Sequence, residues 1–384
     1  MRKNLAFLTL PLVSLSLLFT GTLCGDENPF GVKSELVTRA DRAAAMVFAP
    51  DGRLFYAEQY TGRIRVVTAE GKLLEEPFAQ LQVANYLDLD WGLTGLALDP
   101  DFKTNHYLYA FLTDPVDPNT PIGRPALVRL TDQDNRGVNP TVIIGNFPQT
   151  LPNHQGFNAN GRIHFGPDGF LYISLGDFDA QELRLSQDMS SPVGKMLRVR
   201  KEDGSPAPGN PFLNKPNIDQ RIFALGFREP FDFAFHPRTG QIYSSDNTSA
   251  GTCEELNMIQ SGANYGWPDV GEFPYSDCQA GQQTKAIHFF ARERMQPGDF
   301  LSFVAVSGLA FVSGDVYPLL GDSLLACEFE TGMLRRLILS MPDLNQVTNN
   351  DVIRTDCKRG IAVSPSGIVY YSNDKEIRRL VPQQ

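Results

Sequence analysis

The chain has 384 residues, 42% hydrophobic and 20% charged, long enough to bury a sizeable core. Its 44 acids outnumber 34 bases, and a formal net charge of -10 argues against nucleic acid or an anionic membrane as the main partner of the surface. With 33 glycines, 27 prolines and 10% aromatic residues but no heptad pattern, the composition suits many short strands joined by tight turns.

In chain order, Met1-Arg2-Lys3 leads into an apolar run at 5–19 and then Thr20-Gly21-Thr22, the layout of a secretory signal peptide expected over 1–24. The run is short for a bilayer and no other segment has spanning length, so stable membrane insertion is not expected. Thr22-Leu23 fits a lipoprotein cleavage site poorly, so lipidation at Cys24 is not expected and a periplasmic or secreted location is.

From there one unit recurs, an apolar strand, a Pro-Asp-Gly-like turn and a strand of the Leu-Tyr type. The copies are Met46-Val47-Phe48-Ala49-Pro50-Asp51-Gly52, Gly95-Leu96-Ala97-Leu98-Asp99-Pro100-Asp101 and Ile163-His164-Phe165-Gly166-Pro167-Asp168-Gly169. Phe233-Ala234-Phe235-His236-Pro237, a looser Gly308-Leu309-Ala310-Phe311 and Ile361-Ala362-Val363-Ser364-Pro365-Ser366-Gly367 complete the series. Proline presets the first turn dihedral and glycine accepts a positive one, so each copy starts a hairpin. A further strand pair usually follows, as at Arg63-Ile64-Arg65-Val66-Val67. Units that cannot bury both faces alone close side by side, and the expectation is an all-β, six-bladed β-propeller with four-stranded blades over 25–384, in preference to an open sandwich. The widest spacings leave loops around 115–125, 151–160 and 253–298, where a rigid propeller carries function.

Four cysteines beyond the leader, Cys253, Cys278, Cys327 and Cys357, form an even set. In an oxidising compartment such a set pairs, and local pairing joins Cys253 to Cys278 and Cys327 to Cys357; none has the spacing of a metal site.

Gly161-Arg162-Ile163-His164-Phe165-Gly166-Pro167-Asp168-Gly169 running to Leu175-Gly176-Asp177, then Ala224-Leu225-Gly226-Phe227-Arg228-Glu229-Pro230, and Glu255-Leu256-Asn257 with Gly262-Ala263-Asn264-Tyr265-Gly266-Trp267-Pro268 resemble the soluble quinoprotein glucose/sorbosone dehydrogenases. The resemblance covers nearly the whole chain beyond the leader. It implies a six-bladed propeller holding pyrroloquinoline quinone (PQQ) and calcium at the mouth of its central channel, with a small-molecule sugar and an electron acceptor as partners. In that family a histidine takes the hydroxyl proton of an aldose while hydride passes to the quinone.

Carried over residue by residue, the resemblance makes Asp177 the aspartate that orients the base and Arg228 the arginine on the quinone carbonyl. Two alignments place the base. Without a gap the position is Asn158, which cannot act as a base at neutral pH; with about four inserted residues it is His154, which keeps the His-Gln pair with Gln155. Arg359 matches one of two late cofactor arginines, and the other falls on Cys357. The cofactor lysine is replaced by Glu330, and Glu229 adds a second negative charge, so two acids oppose a tricarboxylate unless calcium or Arg359 offsets them. Asp246-Asn247-Thr248-Ser249-Ala250 departs from the family's calcium loop, leaving Glu254 and Glu255 as metal candidates. Two functions therefore stand side by side, an exported PQQ-dependent sugar dehydrogenase and a propeller that binds carbohydrate or protein without quinone chemistry. A hydrolase with paired carboxylates finds no pairing pattern.

Overall fold

The computed structural model describes residues 29–84, 90–117, 120, 122–150, 158, 159, 161–247, 253–270, 278–290 and 304–383. The expected leader lies outside them, and among the described residues no helix is long and apolar enough to cross a membrane.

The repeated turns form as their residues dictate. Ala49 N–H donates to the Arg53 carbonyl at 2.8 Å and Gly52 N–H to Ala49 at 2.9 Å, while Gly166 to Phe170 and Gly169 to Gly166 repeat the pattern. Gly52 and Gly169 sit at φ of 91° and 78°, where a side chain would be strained. In the second unit a short helix, Phe102–Asn105, takes the place of the glycine turn.

Six four-stranded antiparallel sheets result. Blades 1 to 5 run in chain order over 43–80, 93–144, 163–225, 233–290 and 306–354. Blade 6 takes three strands from 361–382 and its outermost strand from Val32–Arg39, which pairs antiparallel with Glu376–Pro382. The first and last strands thus close one sheet, and the expected six-bladed propeller is the fold.

Closure is also visible in the core. Six apolar clusters each join two neighbouring blades, among them Phe55 with Leu96, Phe111 with Ile173, Met196 with Phe233, Leu256 with Leu324, Leu325 with Val369, and Ile377 with Leu54. Each blade hides both faces only because it has neighbours on both sides. Residues of all six inner strands line an axial cavity of about 410 Å³. Both expected disulfides are present, Cys253–Cys278 and Cys327–Cys357, with Cα atoms 5.5 and 5.4 Å apart.

Candidate functional site

At one end of the ring the segments that enter the inner strands, together with those that leave the second strands, surround a cavity of about 400 Å³, within the range of small-molecule sites. Arg162 forms its floor. This side chain is buried and donates to the carbonyls of Thr94, Ser307 and Arg359 while lying over the Phe231 ring at 5.0 Å, so blade 3 is tied to blades 2, 5 and 6 across the axis.

Asp177 follows the second strand of blade 3 and is 1% exposed. Its Oδ1 accepts from the Asn158 amide at 2.9 Å and from Asp179 N–H at 2.8 Å, and its Oδ2 accepts from the Trp267 indole at 2.9 Å. Burial raises its pKa, opposed by Arg228 and by these three donors. Asn158, which lines the cavity, is therefore the residue on Asp177. His154 lies outside the described residues, and among these no histidine lines the cavity.

Arg228 reaches the cavity from the segment before the inner strand of blade 4, its carbonyl accepting from Asp177 N–H at 2.7 Å. Its own N–H and that of Glu229 are fixed by buried Asp246. Among the described residues the guanidinium makes loose contacts, with the Asn247 carbonyl at 3.3 Å, Asp179 at 3.7 Å, Glu229 at 3.9 Å and the Trp267 ring at 6.0 Å. Arg359 lines the same cavity, bonded to Asp374 at 2.7 Å and to Gln59 at 2.6 Å over the Phe329 ring. Asp177, Arg228 and Arg359, far apart in sequence, thus meet at one end of the ring.

The two metal candidates part company. Glu254 faces the cavity, and its carboxylate accepts from the Val304 and Ala305 amides at 2.5 and 3.1 Å. Glu255 leaves the strand on the other face and accepts from Asn257 at 3.0 Å and from Gln282. Burial pushes both up to about 8. Among the described residues no three His, Cys, Asp or Glu gather as a metal-binding group.

Sequence reasoning gave no role to Arg162, Gln59, Lys358 or Asp90, all on the cavity. Arg162 stood in a quoted motif, as did Trp267; Gln59 and Asp90 carry no local signal, being single polar residues beside strands.

A family model described as Glucose / Sorbosone dehydrogenase matches residues 40–381. The chain belongs to the glucose/sorbosone dehydrogenase family. It is 29% identical over 266 residues to quinoprotein glucose dehydrogenase B of Acinetobacter calcoaceticus, a match covering 63% of this chain and 53% of that protein. The chain thus spans about half the length of that relative. Aldose sugar dehydrogenase YliI of Escherichia coli is 25% identical over 354 residues, 90% of this chain and 91% of the relative. A solved putative oxidoreductase (glucose dehydrogenase) from Thermus thermophilus superposes with a TM-score of 0.75 at 31% identity, covering 91% of this chain and all of the other.

The cavity can be tested against the quinone this family implies. Among the described residues, four cations, Arg162, Arg228, Lys358 and Arg359, line it with four acids, Asp90, Glu229, Glu254 and Glu330. Burial raises both Asp90 and Glu254, which lessens the negative charge that these acids set against the cations. With a loosely held guanidinium at Arg228, the donor set fits a planar polycarboxylate such as PQQ. Calcium fits less well, because a shell of about six to eight oxygens is needed and Glu254 already commits its carboxylate to backbone amides.

Proposed function

We propose that the chain is a PQQ-dependent sugar dehydrogenase that oxidises a carbon bearing a hydroxyl at the channel mouth. The observation that carries this reading is the Arg228 guanidinium, which lines the cavity beside Asp177 and, among the described residues, makes polar contacts of 3.3 to 3.9 Å and lies 6.0 Å from the Trp267 ring. Bound there, PQQ supplies a two-electron acceptor for hydride from the sugar carbon, and a separate acceptor later takes the electrons. Lys358 and Arg359 would hold its carboxylates, and Arg228 would stabilise negative charge developing during the transfer, a role that favours a charge fixed in place beforehand. His154 is the base for the hydroxyl proton in this reading, an assignment that rests on the sequence.

Export accompanies the proposal, supported by the leader-like 1–24 and by two disulfides, which persist in oxidising compartments. The working unit is then the propeller domain over 25–384. A second reading, binding without oxidation, is favoured by Asn158 on Asp177 and by Glu330 in place of a lysine.

The test is to purify the chain from Gly25 onward, add calcium and PQQ, and follow the cofactor's absorption as aldoses are added. Reduction that is lost in His154→Ala is the expected result. No PQQ binding at micromolar concentration would leave the second reading in place.

A further inference from the structure

Asn158 carries more than the absence of a base. Its Nδ2 donates to Asp177, and a carboxylate shared by Asn158, Asp179 and Trp267 accepts only. The amide therefore has one orientation, nitrogen toward Asp177 and oxygen turned away. Its backbone sits at φ 63°, a region asparagine tolerates. A Cβ at Gly176 would stand 2.2 Å from the Asn158 carbonyl oxygen, so the strand end that delivers Asp177 is shaped to receive this residue closely. Asn158 also lines the cavity with Arg228 and Glu229.

We infer that Asn158 is a substrate-positioning residue whose amide oxygen, aimed by Asp177, accepts a hydrogen bond from a neutral sugar hydroxyl. An amide oxygen takes the hydrogen bond without taking the proton, so proton removal falls on another group. A ligand carboxylate at this point would meet an acceptor and Glu229, which selects neutral sugars over sugar acids. The inference rests on the sugar-binding half of the proposed function and is independent of its quinone.

Both tryptophans of the chain, Trp91 and Trp267, are buried near the cavity, Trp267 on Asp177 and Trp91 through its carbonyl on Gln59. Their fluorescence reports binding when the chain, without PQQ, is titrated with glucose, galactose, arabinose and maltose. Asn158→Gly removes the amide and suits the positive φ; its affinity for the tightest aldose is expected to fall at least about tenfold, the scale of one lost hydrogen bond of about 1.4 kcal/mol. Asn158→His still donates to Asp177 and still offers an acceptor, so it binds at pH 7.5. It then loses affinity relative to the wild-type profile as pH falls and the imidazole protonates, because protonation removes its acceptor. A structural role alone would not move that profile, and this variant carries the test if the glycine variant unfolds.

Affinity within twofold of wild type in Asn158→Gly, identical pH profiles, or no aldose bound by wild type would each overturn the inference. A parallel absorption titration with PQQ keeps the two readings apart. Loss of quinone binding there sinks the dehydrogenase and leaves the sugar result readable.

Discussion

Arg162 shows how much one side chain does at the centre of the ring. Its guanidinium satisfies carbonyls from three other blades and lines the mouth cavity. Arg162→Met keeps much of the volume but leaves three inward carbonyls without their donor, and each such loss costs about 1 to 3 kcal/mol. The expected outcome is a loss of about 3 kcal/mol in urea unfolding with unchanged slope, together with weaker retention of any ligand resting on that floor. At this scale the sequence was only partly legible. Asp177, Arg228 and Arg359 sat in motifs with recognisable spacing, whereas the choice between His154 and Asn158 turned on a gap of about four residues that no local pattern fixes. Gln59 and Lys358 were unreadable because their role comes from ring geometry, which sets residues hundreds of positions apart side by side; Gln59 meets Arg359 at 2.6 Å.

Among the elements, the segment between blades 5 and 6 is held by the Cys327–Cys357 bridge, whose second cysteine immediately precedes Lys358 and Arg359. Cys327→Ser with Cys357→Ser is expected to lower stability by about 2 to 4 kcal/mol. Under the proposed function it should also weaken PQQ binding more than the equivalent pair at Cys253 and Cys278, measured by denaturant unfolding and absorption titration. The outer strand His288–Phe290 of blade 4 offers a pH prediction. Burial, aided by Arg335, pushes His288 down to about 4, and its Nε2 bonds to the Asn350 side chain at 3.1 Å. Because the folded chain binds this proton less readily than the unfolded one, its contribution is fully present above pH about 6.5 and is lost as pH falls toward 4, by up to about 3 kcal/mol. Stability measured from pH 7 to 4 should therefore fall less steeply in His288→Gln than in wild type.

The ring as a whole was the most legible level, because the Pro-x-Gly turns recur at blade spacing and the alternation around them belongs to strands. Blade 5 was harder to see. Its first hairpin runs from Val306–Val312 to Ser323–Glu328 through a longer, less regular connection without the Pro-x-Gly signature. The origin of blade 6's fourth strand had no signal in the repeat, since Val32–Arg39 precedes the first copy and finds its partner only at the far end of the chain. Deleting 29–39 should expose the edge of Glu376–Pro382 and the apolar cluster around Val32 and Leu380. A broadened, less cooperative thermal transition is the expected calorimetric result, while an unchanged transition would show that the closing strand is dispensable.

That closing strand also sets a timetable. Ser34 and Arg378, hydrogen-bonded in the finished ring at 2.7 Å, are 344 residues apart, so a ribosome releases one long before it makes the other. Contacts of such separation form late, after the loop entropy between them has been paid. During synthesis the nascent chain holds an arc of blades with two unsealed ends, and the last rivet waits for the final residues to emerge. The ring therefore cannot close before the strand Glu376–Pro382 has been made.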